Sequence, residues 1–265
     1  MEIDTYEKLS IFIDRWVTGT IDLLIIESEA GLGKSCLIKG KLKEKKHLAI
    51  NNHITPLMNY KQLYENRDRL VWFDDVYYLL LNKLNVALLK QVCETSEIKK
   101  LCYYTTSELM GETPKAFTTS SKVLISCNSI EGNSPHIKAI KDRGFHLVFK
   151  PSRVEILHKM QEIVDSYPYL EIDEKQAIFE VIRENSKFVK EISLRTLIKG
   201  FQLYNYYKSK GIDWKEDFLK ELHISEKMIK ISLLMEKYDN DLERLKEWGW
   251  SRQTFYIYKG LVEKV

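Results

Sequence analysis

Residues 28–35, Ser-Glu-Ala-Gly-Leu-Gly-Lys-Ser, stand between an apolar run at 23–26 and an apolar-periodic stretch that begins at Cys36. A glycine-rich loop in that setting constrains the fold strongly. The strand delivers the loop to a helix N-terminus, where unpaired backbone N–H groups and the helix dipole favour an anion. Gly31 and Gly33 let the backbone turn its N–H groups inward, Lys34 brings a point charge to the outer phosphates, and Ser35 offers a hydroxyl to Mg²⁺. Ser28 occupies the place where this pattern usually begins with glycine. The cradle survives that change because the tight backbone approach falls on Gly31 and Gly33. The segment Ser28, Glu29, Ala30, Gly31, Leu32, Gly33, Lys34, Ser35 and Cys36 is the expected nucleoside-triphosphate cradle.

The rest of the chain alternates in the way such a loop requires. A helical face over 6–16 leads through Gly19 into the strand at 23–26. Short apolar runs follow at 48–51, 70–73, 122–127 and 147–149, separated by stretches with helical spacing such as 77–92. Strands alternating with helices predict an α/β fold with a parallel sheet. Between residues 101 and 122, the segments 102–106 and 116–119 flank Gly111 and Pro114 and predict a hairpin ahead of the next core strand. Beyond Pro151 the pattern is amphipathic helix without a strand. Ser152 with Glu155 forms a capping pattern for a helix over 152–164, and a second helix is expected over 194–207. After a break at Gly211, three short helices are expected at 225–237, 239–248 and 251–262. The predicted organisation is a phosphate-loop core over 1–150, a helical lid over 151–212 and a small helical domain over 213–265.

Composition removes several classes. The apolar runs fall far short of the roughly 20 residues of a membrane span. The start, Met1-Glu2-Ile3-Asp4, lacks the basic and apolar regions of a signal peptide, so a soluble cytoplasmic protein is expected. Four scattered cysteines, Cys36, Cys93, Cys102 and Cys127, form no metal-ligand pairs and read as reduced thiols, with Cys36 and Cys127 assigned to the core. The net charge of +3 is too small to identify a nucleic-acid partner. Its excess belongs to the first 150 residues, including Lys39, Lys41, Lys43, Lys45 and Lys46. These lysines fit either the solvated end of a helix or a phosphate-backbone contact.

Hydrolysis requires an aliphatic strand ending in carboxylates beside the loop. Leu70-Val71-Trp72-Phe73-Asp74-Asp75 has that form, with Asp74 as the metal-side acid and Asp75 as the base; adjacent acids could instead cap the next helix. With these two motifs in order, the chain resembles the AAA+ ATPase family over residues 5 to about 208. On that resemblance, Asn128, at the end of 123–128, is the first sensor that orients the attacking water. Arg143, in Ala-Ile-Lys-Asp-Arg, is the arginine finger that reaches a neighbour's phosphate, and Arg195, in Ile-Ser-Leu-Arg-Thr-Leu, is the second sensor. The resemblance thus implies ATP, Mg²⁺ and a ring or filament of copies. Ordinary alternatives are a turn asparagine, a surface salt bridge and a lid-surface arginine. Asp75 departs from the family's usual glutamate and reaches less far, which suits slow or partner-stimulated hydrolysis.

Residues 114–128 also resemble P-loop ATPases of viruses and mobile elements, in which Lys115 and Phe117 would contact a threaded strand; Phe117 packed under the hairpin is the alternative. Residues 242–256 resemble a helix-turn-helix that presents Arg252, Gln253 and Thr254 to base edges, with Tyr256 and Lys259 near phosphates. A protein-docking bundle with Trp248, Trp250, Phe255 and Tyr258 as its core explains the same pattern. The leading expectation is an oligomeric ATPase in a DNA transaction such as replication, as motor or loader, with DNA and a replication protein as partners. The competing one is a nucleotide-gated adaptor with little hydrolysis.

Overall fold

The computed structural model describes residues 1–263 except 52, 76–78, 80, 131–134, 190, 223 and 225. It divides into two compact units, Met1–Ser152 and Arg153–Val265.

The first unit is built on six parallel strands: β1 (Glu2–Ile3), β2 (Leu23–Glu27), β3 (His47–Asn51), β4 (Leu70–Asp74), β7 (Val123–Cys127) and β8 (Phe145–Phe149), in the order β1-β8-β2-β7-β4-β3. An antiparallel pair, β5 (Lys99–Cys102) and β6 (Ala116–Thr119), forms a separate ribbon. The helices of this unit are α1 (Tyr6–Val17), α2 (Lys34–Leu42), α3 (Pro56–Glu65), α4 (Lys83–Val92) and α5 (Pro135–Asp142). Strands covered on both faces read as continuous apolar runs rather than alternating ones. Accordingly Leu23, Leu24, Ile25 and Ile26 are all buried. Because β2 pairs with β7 and β7 with β4, the ends of these three strands lie side by side at one edge of the sheet. Strand order reverses at β2, and in open parallel sheets such a point is where ligands bind.

The expected strands of the parallel sheet are all present, each within two residues of its expected ends. Two details differ. The first arm of the hairpin was expected at 102–106, whereas β5 ends at Cys102. The two-residue strand β1 adds to the edge of the sheet by pairing with β8; it is too short to leave a periodic signal. In the expected helix over 77–92, α4 spans Lys83–Val92, and residues 77, 78 and 80 lie outside the described residues. Phe117 is buried against Tyr60 and Tyr64, with ring centroids 5.2 and 5.3 Å away, so it packs under the ribbon.

The second unit is helical: α6 (Arg153–Ile163), α7 (Ile172–Asn185), α8 (Leu194–Lys208), α9 (Lys215–Glu221), α10 (Glu226–Lys237), α11 (Asp241–Trp248) and α12 (Arg252–Val262). The expected start of α10 at residue 225 lies outside the described residues. Gly200 lets α8 approach closely: a Cβ there would meet Ile178 at 2.8 Å and Phe218 at 2.9 Å. The last three helices enclose their own core of Ile231, Leu234, Trp248 and Phe255. Among the described residues no helix is long and apolar enough to cross a membrane.

Candidate nucleotide site

The loop after β2 has the backbone its sequence demands. Gly31 and Gly33 have φ of 81° and 80°, with Gly33 capping α2 in the left-handed region. A β-carbon at either position costs about 1–2 kcal/mol. Leu32 anchors the loop by burial, while Glu29 and Ala30 are exposed and Gly31, Gly33 and Ser35 half-buried, so the cradle is open to solvent. Ser28 is buried, and its N–H donates to the Cys127 carbonyl at 3.2 Å, tying the loop to the end of β7.

Lys34 is buried, and its ammonium reaches the same place. It donates to the carbonyls of Ser28 at 2.5 Å and Cys127 at 2.9 Å, and to Asn128 Oδ1 at 3.4 Å. Tertiary folding thus brings the loop lysine to the asparagine that follows β7. The Ser35 hydroxyl donates to Asp74 Oδ1 at 3.1 Å. One carboxylate and one hydroxyl make a hard-oxygen pair suited to Mg²⁺, which binds through few protein ligands and keeps waters and phosphate oxygens for the rest.

Two residues that sequence reasoning missed complete this arrangement. Buried Ser126 donates to Asp74 Oδ1 at 2.7 Å and accepts from the Trp72 indole N–H at 2.8 Å. The signal was a lone serine inside an apolar strand, in register with Asp74, which only the strand pairing reveals.

Asp75 is exposed and has φ of 54°, a left-handed conformation that costs a non-glycine residue about 1–3 kcal/mol. Its N–H donates to Ser126 O at 2.8 Å, which holds the strained turn at the sheet edge. The residues it would cap as a helix start, 76–78, lie outside the described residues.

On the other flank of the loop, Glu27 at the end of β2 accepts from the Lys141 ammonium at 2.8 Å, the His146 ring at 2.6 Å and the Ile130 N–H at 3.1 Å. Burial pushes the Glu27 carboxyl up, but these donors hold it below its usual range. Burial, aided by the Lys141 charge, pushes His146 down despite the pull of Glu27.

Arg143 follows α5 and is engaged within its own chain: it donates to the Lys90 carbonyl and lies 3.3 Å from the Glu94 carboxylate. Arg195 is exposed in the first turn of α8, where a cation opposes the helix dipole. Cys36 corrects the sequence expectation. Helix α2 buries Lys34, Ile38 and Leu42, a stripe of four-residue spacing, and Cys36 falls on the opposite side, exposed. Cys93 and Cys127 are buried, which pushes both thiols up to about 12.

In the last three helices, Gly249 turns the chain at φ 80°, and the Ser251 hydroxyl caps α12 by accepting from the Thr254 N–H at 3.2 Å. Arg252, Gln253 and Tyr256 are exposed. Lys259 is paired with Asp241 at 2.6 Å rather than free for a phosphate. Trp248 and Phe255 form the expected core, whereas Trp250 lies at the surface with Lys230 at 4.9 Å from its ring centroid.

The strand order, the glycine loop at the reversal of that order and the carboxylate on the second neighbouring strand define a parallel α/β core with a phosphate-loop backbone, followed by a helical region. A mutant of Thermotoga maritima RuvB shares this fold, with a TM-score of 0.51 and 14% identity over 88% of this chain and 76% of that one. A DNA replication initiation factor matches with a TM-score of 0.49 and 13% identity over 98% and 79%. The Thermotoga maritima RuvB Holliday junction branch migration motor matches with a TM-score of 0.48 and 12% identity over 97% and 85%. No protein-family model matches the chain, and no curated protein matches it in sequence.

Proposed function

We propose that this protein is an AAA+ ATPase that binds Mg·ATP on the 28–36 loop and hydrolyses it between adjoining copies to drive a DNA transaction. The observation that carries the reading is the meeting of Lys34, Ser35, Asp74 and Asn128 at one sheet edge. An incoming triphosphate would replace carbonyl oxygens around the Lys34 ammonium. Ser35 and Asp74 would hold Mg²⁺, which neutralises phosphate charge when bound. Asp75 would take the proton of the attacking water and Asn128 would orient that water. Arg143 of an adjoining copy would exchange Glu94 and the Lys90 carbonyl for the charge that develops on the phosphate. We assign residues 151–212 as the lid that presents Arg195 and 213–265 as the tail, and place the protein in the cytoplasm as a ring or filament. A virus or mobile element as its source, a replication role as motor or loader, and a replication protein as partner complete the reading.

The DNA assignment is supported by the exposed N-terminus of α12 behind its glycine turn, with Arg252 and Gln253 outward. A second reading, a nucleotide-gated adaptor, is favoured by the short Asp75 and by the engagement of Arg143 within its own chain. Turnover measured for Lys34→Ala and Arg143→Ala tests the site: the first is expected to lose binding or turnover, the second to bind normally and not turn over. Unchanged turnover in either variant refutes its assigned role. Strong stimulation of the wild type by DNA supports the motor or loader; ATP-dependent capture of a protein with no DNA effect supports the adaptor.

A further inference from the structure

At the sheet edge opposite the phosphate loop, the starts of β4 and β7 and the turn between α2 and β3 line a cavity of about 310 Å³. Four cations, Lys45, Lys46, Arg69 and Lys122, face it with one carboxylate, Asp68. Asp68 Oδ1 is occupied by the Ser120 N–H at 2.8 Å and the Ser120 hydroxyl at 3.0 Å. Lys122 is paired with Asp22, as nearby Lys41 is with Asp14. Lys45, Lys46 and Arg69 differ. All three are exposed, none pairs with a described carboxylate, and Arg69 donates to the neutral Asn66 side chain at 2.8 Å.

The helix dipole does not account for this cluster. It favours cations in the last turn of α2, such as Lys39 and Lys41, but Lys45 and Lys46 lie beyond the helix end and Arg69 comes from a different element. Like charges gathered around a recess raise its potential and attract an anion. At about 310 Å³ the recess is larger than one small anion fills. Val17 and Leu70 add apolar wall among the charges, as a phosphate joined to a sugar would require.

We propose that this groove binds the phosphate backbone of a nucleic-acid strand, as a contact separate from both the phosphate loop and the tail. It goes beyond the ATPase reading and does not depend on turnover.

The test is fluorescence anisotropy of a labelled single strand and of its duplex, without nucleotide, between about 50 and 200 mM salt. The slope of log affinity against log salt counts backbone contacts, at about 0.7 each for a single strand and 0.9 for a duplex. The Lys45→Gln, Lys46→Gln, Arg69→Gln triple variant is expected to flatten the slope by about 2 to 3 and to weaken binding at least tenfold at low salt. Each single variant is expected to flatten it by about one contact, which keeps the test valid should the triple variant misfold by circular dichroism. Lys138→Gln, an exposed lysine of α5 outside the groove, is expected to leave the slope alone, and Lys34→Ala to keep full strand binding. The proposal is overturned by any of four results: no strand binding by the wild type, an unchanged slope in the folded groove variants, an equal change in Lys138→Gln, or a groove that takes inorganic phosphate but no strand. A protein that shows the groove effect yet turns over no ATP would refute the ATPase reading alone.

Discussion

Replacing Ser126 with alanine removes one oxygen from the middle of a chain that runs from the Trp72 indole through Ser126 to Asp74 and Ser35. Two losses follow. The Trp72 N–H is buried in the sheet and keeps no acceptor, a penalty of about 1–3 kcal/mol. The Asp74 carboxylate loses a charge-assisted donor worth about 1.5–3 kcal/mol, toward the lower end here because Asp74 is half-buried and keeps Ser35 and access to water. Together the cost is about 2.5–4.5 kcal/mol, which lowers the melting temperature of a unit of this size by roughly 5–18 °C. Trp72→Phe on the Ser126→Ala background removes the stranded donor, so the double variant should lose less than the sum of the single ones by about 1–2 kcal/mol. Thermal unfolding followed by circular dichroism measures these values. The same variant frees the Asp74 carboxylate to rotate, so the Mg²⁺ concentration for half-maximal ATP turnover should rise while ATP binding without metal is unchanged. A stability change under about 0.5 kcal/mol, together with an unchanged Mg²⁺ requirement, would show that Ser126 does not position Asp74.

Asp75→Gly relieves the left-handed backbone and should stabilise the first unit by up to about 1 kcal/mol while abolishing turnover; loss of stability would mean that the turn carries no strain. Acidification should destabilise the same unit in two steps. His146 sits below its usual value of 6.5, so its contribution is complete above that pH and is lost as pH falls toward the folded value. Glu27, held below 4.5, adds a further loss as pH falls from there. His146→Gln should flatten the upper step in pH-dependent melting, and an unchanged profile rejects the assignment. Maleimide should label Cys36 rapidly and Cys93 and Cys127 only on unfolding, with Mg·ATP slowing the reaction at Cys36; mass spectrometry showing equal rates with and without Mg·ATP would place the nucleotide elsewhere.

Much of the site could be read in the chain because its chemistry is local. Gly31, Gly33, Lys34 and Ser35 lie within a single turn, and the need for positive φ at the two glycines is a property of the backbone itself. The parallel strands were legible because burial on both faces leaves uninterrupted apolar runs, whereas β1 was not, since two residues cannot display a period. The side on which Cys36 falls depends on which face of α2 meets the sheet, and its apolar neighbours did not reveal that.

The sequence alone determined the order of loop, acid strand and asparagine strand, since each is written in consecutive residues. The tertiary structure decided their adjacency. Asp74 and Asn128 reach the loop because β7 pairs between β2 and β4, and Ser126 faces Asp74 through that same register. Strand pairing joins residues far apart in the chain, and no local pattern encodes which strands become neighbours. The same reason hid the groove of Lys45, Lys46 and Arg69, whose charges come from separate elements and converge only at the opposite edge of the folded sheet.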